Sequence, residues 1–186
     1  MTEKLTVALL AGGRSSEREV SLKGGAGVYS ALDKNKYDIR RYDPATDLGQ
    51  LAAEAAEIDV AFIILHGPFG EDGTMQGFLD LLGVPYQGSG VLGSAIAMDK
   101  NLAKILYRNA GLKVPKWYMA APKDIECPGK ILGKLGLPLV IKPASQGSSL
   151  GMTVARSQEE IRFGFESSED FCRLLRCTSH LQSRGK

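Results

Sequence analysis

Hydrophobic positions come first as short continuous runs and then as stripes of helical period. Leu5–Ala11 is almost wholly apolar, the pattern of a parallel strand covered on both faces. Gly12-Gly13 makes a turn, and Ser16 with Glu19 has the spacing of a capping box, which predicts a helix start there. Val20, Gly24, Gly27, Val28, Ala31 and Leu32 then recur on one helical stripe. The glycines at 24, 25 and 27 each weaken a helix by about 1 kcal/mol relative to alanine, which is tolerable where the helix backbone lies against a sheet. Tyr37–Tyr42 reads as a second strand, Leu48–Glu57 as a second helix and Asp59–His66 as a third strand. This βαβαβ order predicts an α/β fold with right-handed crossovers and a parallel, Rossmann-like sheet.

Further along, Thr74–Leu82 reads as a helix and Val84–Gln87 as a short strand. Val91–Asn109 reads helical, with Lys100 near the start of a second helical segment. Lys116–Ala120 predicts a strand and Pro128–Leu135 a short helix. The apolar run Pro138–Ile141 predicts a buried strand ending at Lys142, and Met152–Ala155 predicts its hairpin partner across a Gly/Ser loop. Composition changes near residues 90–95, which places a domain boundary there and divides the chain into 1–92 and 93–160.

Charge and length narrow the function classes. The chain has 186 residues and a formal net charge of +2, so no general polyanion-binding surface and no nucleic-acid partner are expected. The longest uninterrupted apolar run, Val60–Leu65, is far short of the roughly 20 residues of a membrane span. Leu5–Ala11 is flanked by Glu3, Lys4 and Gly-Gly-Arg, which does not fit a signal peptide. Three unevenly spaced cysteines, Cys127, Cys172 and Cys177, point to a reduced, cytoplasmic setting.

In parallel sheets, ligands collect at the carboxyl ends of the strands. The loops Gly12–Glu19 and His66–Gly73 sit there. Glu17 either holds an ammonium or merely favours a helix N-terminus, and His66 either meets a substrate carboxylate or binds a backbone carbonyl. The Gly/Ser loop after Lys142 either folds over a polyanion, with Lys142 as a fixed charge, or is a solvated hairpin. Lys100 has an equally plain reading as a solvated helix lysine. Gly88-Ser-Gly-Val-Leu-Gly93 matches G-x-G-x-x-G. However, it follows the fourth strand, stands after Pro85, and has no acid ending a strand about 20 residues on, so a dinucleotide site is disfavoured. No P-loop motif occurs.

Six segments in order carry a resemblance: Gly12-Gly-Arg-Ser-Ser-Glu-Arg-Glu-Val-Ser21, Leu65-His-Gly-Pro-Phe-Gly-Glu-Asp-Gly73, Gly88-Ser-Gly90, Ala97-Met-Asp-Lys100, Leu137-Pro-Leu-Val-Ile-Lys-Pro143 and Gly147-Ser-Ser-Leu-Gly-Met152. Together, over residues 5 to about 160, they resemble the D-alanine–D-alanine ligases, ATP-grasp enzymes of bacterial cell-wall synthesis. The resemblance implies a pre-ATP-grasp domain over 1–92 and the first part of an ATP-grasp α+β subdomain over 93–160. It implies that ATP phosphorylates one D-alanine and that the amine of a second attacks the acyl phosphate. Carried over by motif, Glu17 holds the ammonium of the first D-alanine and His66 lies close to it. Ser148, with Ser149, positions substrate in a network with Glu17. Lys100, Lys142 and Gly147 bind the ATP phosphates.

The resemblance also implies a homodimer through the N-terminal domain, and magnesium held by a later part of the family's fold rather than by residues of this chain. Residues 161–186 match none of the family's pattern, so a truncated or frame-shifted chain without activity of its own is expected. Other readings of the same motifs are a weak binding module and a D-alanine–D-lactate ligase.

Overall fold

β1 (Leu5–Leu10) is the central strand of the first sheet, between β2 (Tyr37–Tyr42) and β3 (Val60–Ile63), and both pairings are parallel. Its residues Val7–Leu10 are buried, as its unbroken apolar run requires of a strand covered on both sides. The computed structural model describes residues 4–121, 124, 127–145, 151–169 and 175–178. They form two units, Met1–Ala97 and Met98–Lys186.

In the first unit, α1 (Arg18–Ala31), α2 (Leu48–Ala53) and α3 (Thr74–Leu82) accompany the sheet. Ala8, Leu10, Tyr42, Leu51, Ala61, Leu65, Met75 and Leu79 share one core. α1 turns a different face inward from the one its apolar residues suggest. Ser21 and Gly25 are its buried positions, whereas Val20 is 60% exposed. A Cβ at Gly25 would lie 2.5 Å from the Cβ of Ala11, while at Gly27 it would meet nothing within 4 Å. Close backbone approach, with Ser21 satisfying main-chain groups, sets the phase of this helix. The expected Ser16–Glu19 box does not form: Glu17 is the N-cap, without a side-chain cap hydrogen bond.

Three predicted elements are clearly shorter than the sequence suggests, the first being the strand expected at Asp59–His66, which spans only Val60–Ile63. The helix from Leu48 ends at Ala53 and continues as a 3-10 turn, Ala55–Glu57. The strand expected at Val84–Gln87 is only a bridge between Ala61 and Tyr86. Pro85 has no N–H to give to a ladder, and its carbonyl accepts from Ala61 N–H at 2.7 Å. The Gln87 side chain then takes over, accepting from Ile63 N–H at 2.9 Å and donating to Ile63 O at 2.8 Å.

α4 (Val91–Met98) and α5 (Lys100–Asn109) meet at Asp99. The Asp99 carboxylate accepts from the N–H groups of Asn101 and Leu102 at 2.8 and 2.9 Å, a helix N-cap. In the second unit β4 (Trp117–Ala120), β5 (Leu139–Pro143), β6 (Thr153–Ala155) and β7 (Leu175–Thr178) form an antiparallel sheet in the order β4-β7-β5-β6. β5 and β6 are the predicted hairpin. Helices α6 (Gly129–Leu135) and α7 (Gln158–Glu169) complete the unit, whose core includes Ile131, Leu139, Ile141, Ile161 and Phe165.

Candidate active site

Three loops leave the carboxyl ends of the first sheet: residues 11–17 after β1, 43–47 after β2 and 64–73 after β3. Ser21 stitches the first to the third. Its fully buried hydroxyl accepts from Gly12 N–H at 2.8 Å and donates to Ile64 O at 2.6 Å. Ser15 adds a second stitch, donating from Oγ to His66 O at 2.7 Å while accepting from Glu17 N–H at 3.2 Å.

Asp43 ties in the remaining loop. Its carboxylate accepts from Gly13 N–H at 2.9 Å and Ala45 N–H at 2.9 Å, and pairs with the Arg18 guanidinium at 2.6 Å. Burial opposes ionisation of Asp43, but Arg18 and the two N–H donors outweigh it and hold the carboxyl below its usual range. Hydrogen bonding to Asp43 raises Arg18 in turn, against desolvation.

Glu17 stands where these contacts converge. Its Oε2 is buried and has no hydrogen-bond partner. Gly67, at φ 69°, lets the backbone approach it, since a Cβ there would lie 2.9 Å from Glu17 Oε2. A covered carboxylate oxygen left unpaired is costly, so this atom suits a cationic ligand.

The turn after His66 is held from within. Gly67 N–H donates to Glu71 Oε2 at 2.7 Å, and Asp72 accepts from the N–H groups of Phe69 and Thr74 at 2.9 and 3.0 Å. Burial works against the charge on Asp72, yet these donors hold it below the ordinary carboxylate range. Phe69 is held at φ 67° and is 56% exposed. The three loops and α3 enclose a cavity of about 190 Å³. Gly12, Gly13, Arg14 and Ser15 line it from the first loop, Pro44 from the second, and Leu48 from the start of α2. Leu65, His66, Pro68, Phe69 and Gly70 line it from the third, and Thr74, Met75 and Phe78 from α3.

The second unit holds both candidate lysines. On β5, Leu139 and Ile141 are buried while Val140 and Lys142 lie on the more open face. Lys100 begins α5, and both its N–H and its Nζ reach Ala144 O, at 3.3 and 3.5 Å. Because Ala144 is two residues past Lys142, the start of α5 and the end of β5 are joined. Ser148, Ser149 and Gly147 lie outside the described residues. Among the described residues no three His, Cys, Asp or Glu side chains group to hold a metal ion, and no helix is long and apolar enough to cross a membrane.

Ser21, Asp43 and Arg18 are the site-building residues that sequence reasoning passes over. Ser21 hides within a stripe judged by hydrophobicity. Asp43 gives one local signal, an acid directly after a strand at the ligand-binding edge, but its pairing with Arg18 is long-range.

Known proteins resemble this chain in sequence and in fold. The family model for the D-ala D-ala ligase N-terminus matches residues 42–89, and that for the D-ala D-ala ligase C-terminus matches residues 106–171. The D-alanine--D-alanine ligase of Desulfotalea psychrophila is 59% identical over 168 residues, covering 90% of this chain and 52% of the relative. The crystal structure of D-alanine--D-alanine ligase from Bacillus anthracis superimposes with a TM-score of 0.85 at 36% identity, covering 96% of this chain and 58% of that one. The same enzyme complexed with ATP gives 0.82 at 35% identity, with coverages of 96% and 60%. The chain thus spans about half the length of the curated relatives it matches. On these grounds it belongs to the D-alanine–D-alanine ligase family.

Proposed function

We propose that the protein carrying this sequence is an ATP-dependent ligase that joins two D-alanine molecules for peptidoglycan synthesis, and that residues 4–97 supply the site of the first D-alanine. The buried, partnerless Oε2 of Glu17 beside Gly67 carries this reading. In it, Glu17 accepts the ammonium of the first D-alanine, and His66, at the neighbouring cavity wall, lies near the same molecule. By the motif carry-over, Ser148 and Ser149 orient substrate, and Lys100, Lys142 and Gly147 hold the ATP phosphates. Phosphoryl transfer depends on positioning and charge neutralisation more than on a covalent nucleophile, which suits a set made of a carboxylate, lysines and small hydroxyls. Magnesium belongs to the same proposal, with its ligands expected in a later part of the family's fold; among the described residues no three His, Cys, Asp or Glu side chains group to hold it. The cytoplasm and a homodimer through the first unit belong to the same proposal.

Isothermal titration of D-alanine and of ATP into the 186-residue chain tests this. A charge-assisted hydrogen bond contributes about 1.5–3 kcal/mol, so Glu17→Gln weakens D-alanine binding roughly 10- to 150-fold and leaves ATP binding intact. Lys142→Ala does the reverse. Unchanged D-alanine affinity in Glu17→Gln refutes the assignment.

A further inference from the structure

We propose that Asp43, which is not among the residues lining the cavity, is a positioning residue that aims Glu17 by clamping both ends of the loop that bears it. The inference rests on the reading of Glu17 given above. At one end Asp43 holds Gly13 N–H at 2.9 Å, and at the other it holds Arg18, the residue after Glu17, at 2.6 and 3.0 Å. Arg18 closes the ring by donating from Nη1 to Gly13 O at 2.9 Å. The segment 13–18 is therefore bound into a loop whose two ends meet on one carboxylate, and the Glu17 side chain leaves from inside it.

A separate observation shows that the backbone is shaped around this carboxylate. Gly12 lies at φ 98°, and a Cβ there would stand 2.7 Å from Cγ, Oδ1 and Oδ2 of Asp43 alike. Only glycine both adopts that φ without strain and leaves the carboxylate its place. Asp43 is itself anchored independently of the loop: its N–H donates to Asp47 Oδ2 at 2.7 Å, and its carboxylate accepts from Ala45 N–H at 2.9 Å. A rigid end of β2 thus dictates where the first turn of α1 begins. Small displacements of a reacting or binding group cost far more in function than in stability.

Nuclear magnetic resonance of the 186-residue chain with 13C-labelled glutamate tests this. Asp43→Asn, and separately Arg18→Gln, is expected to move the side-chain carboxyl resonance of Glu17 in the absence of ligand and to weaken D-alanine binding about tenfold or more. Glu54→Gln, which strips a carboxylate from Arg40 and Tyr42 at 3.3 and 2.5 Å in the same unit, serves as a structural control and leaves both readouts at wild-type values. An unmoved Glu17 resonance in Asp43→Asn overturns the proposal. Equal weakening by Asp43→Asn and Glu54→Gln overturns it as well, by reducing Asp43 to general stability. D-alanine that leaves the wild-type Glu17 resonance untouched instead sinks the substrate assignment, while the ligand-free displacement still supports the clamp.

Discussion

Ser21→Ala is the sharpest test of how the sheet edge is assembled. The substitution removes one oxygen, yet it deprives Gly12 N–H and Ile64 O of their partner at once, at a fully buried position. A buried backbone group left unsatisfied costs about 1–3 kcal/mol, and the lost hydroxyl refunds part of that by no longer being desolvated. The expected net loss is about 2–4 kcal/mol. Trp117, the single tryptophan, lies in the second unit, so its fluorescence does not report on this change. Amide hydrogen exchange of Val7–Leu10, the buried centre of the first sheet, does. A loss of 2–4 kcal/mol corresponds to exchange about 30- to 1,000-fold faster there. Exchange within about threefold of wild type would show that water or backbone relaxation replaces the hydroxyl, and the stitching argument would be wrong.

Other expectations follow from single contacts. Gly25→Ala forces a Cβ to within 2.5 Å of Ala11 Cβ, so α1 must lift from the sheet at a cost of about 1–3 kcal/mol, read by the same exchange experiment. Asp99→Ala removes the cap of α5 and destabilises the second unit by about 0.5–2 kcal/mol, seen as a lower urea midpoint by Trp117 fluorescence. Asp43 is held below its ordinary value, so the stability it contributes is complete above the unfolded value of about 3.9 and is lost as pH falls through its lower folded value. The stability difference between wild type and Asp43→Asn is therefore constant at neutral pH and shrinks in acid; a difference that grows in acid contradicts the ion pair.

The parts of the fold visible in the sequence are those set by bulk hydrophobicity. Tyr37–Tyr42 and Thr74–Leu82 have the bounds their patterns predict, and β5 and β6 pair as the expected hairpin. What was hidden depends on main-chain accounting. The inward face of α1 is chosen by Ser21 and Gly25 rather than by Val20, because backbone satisfaction and close approach outweigh one valine. The expected Ser16–Glu19 box gives way to Glu17 as the N-cap, and the nearby Ser15 hydroxyl is committed to His66 O across the sheet edge. The strand at Val84 fails because Pro85 has no donor and Gln87 imitates one. β7, between β4 and β5, arises in a stretch whose sequence predicts no element. Within the candidate site, Glu17 and His66 were legible from loop position, and the Asp43–Arg18 clamp was not, since residues 25 apart give no local signal of pairing.

The central claim is that the unpartnered oxygen of Glu17 receives the ammonium of D-alanine. A crystal structure of this chain with D-alanine tests it directly. The account predicts the ligand nitrogen about 2.7–2.9 Å from Glu17 Oε2, beside Gly67 and His66. D-alanine seated away from Glu17, or Glu17 Oε2 taken up by a cation of the protein itself, would contradict it.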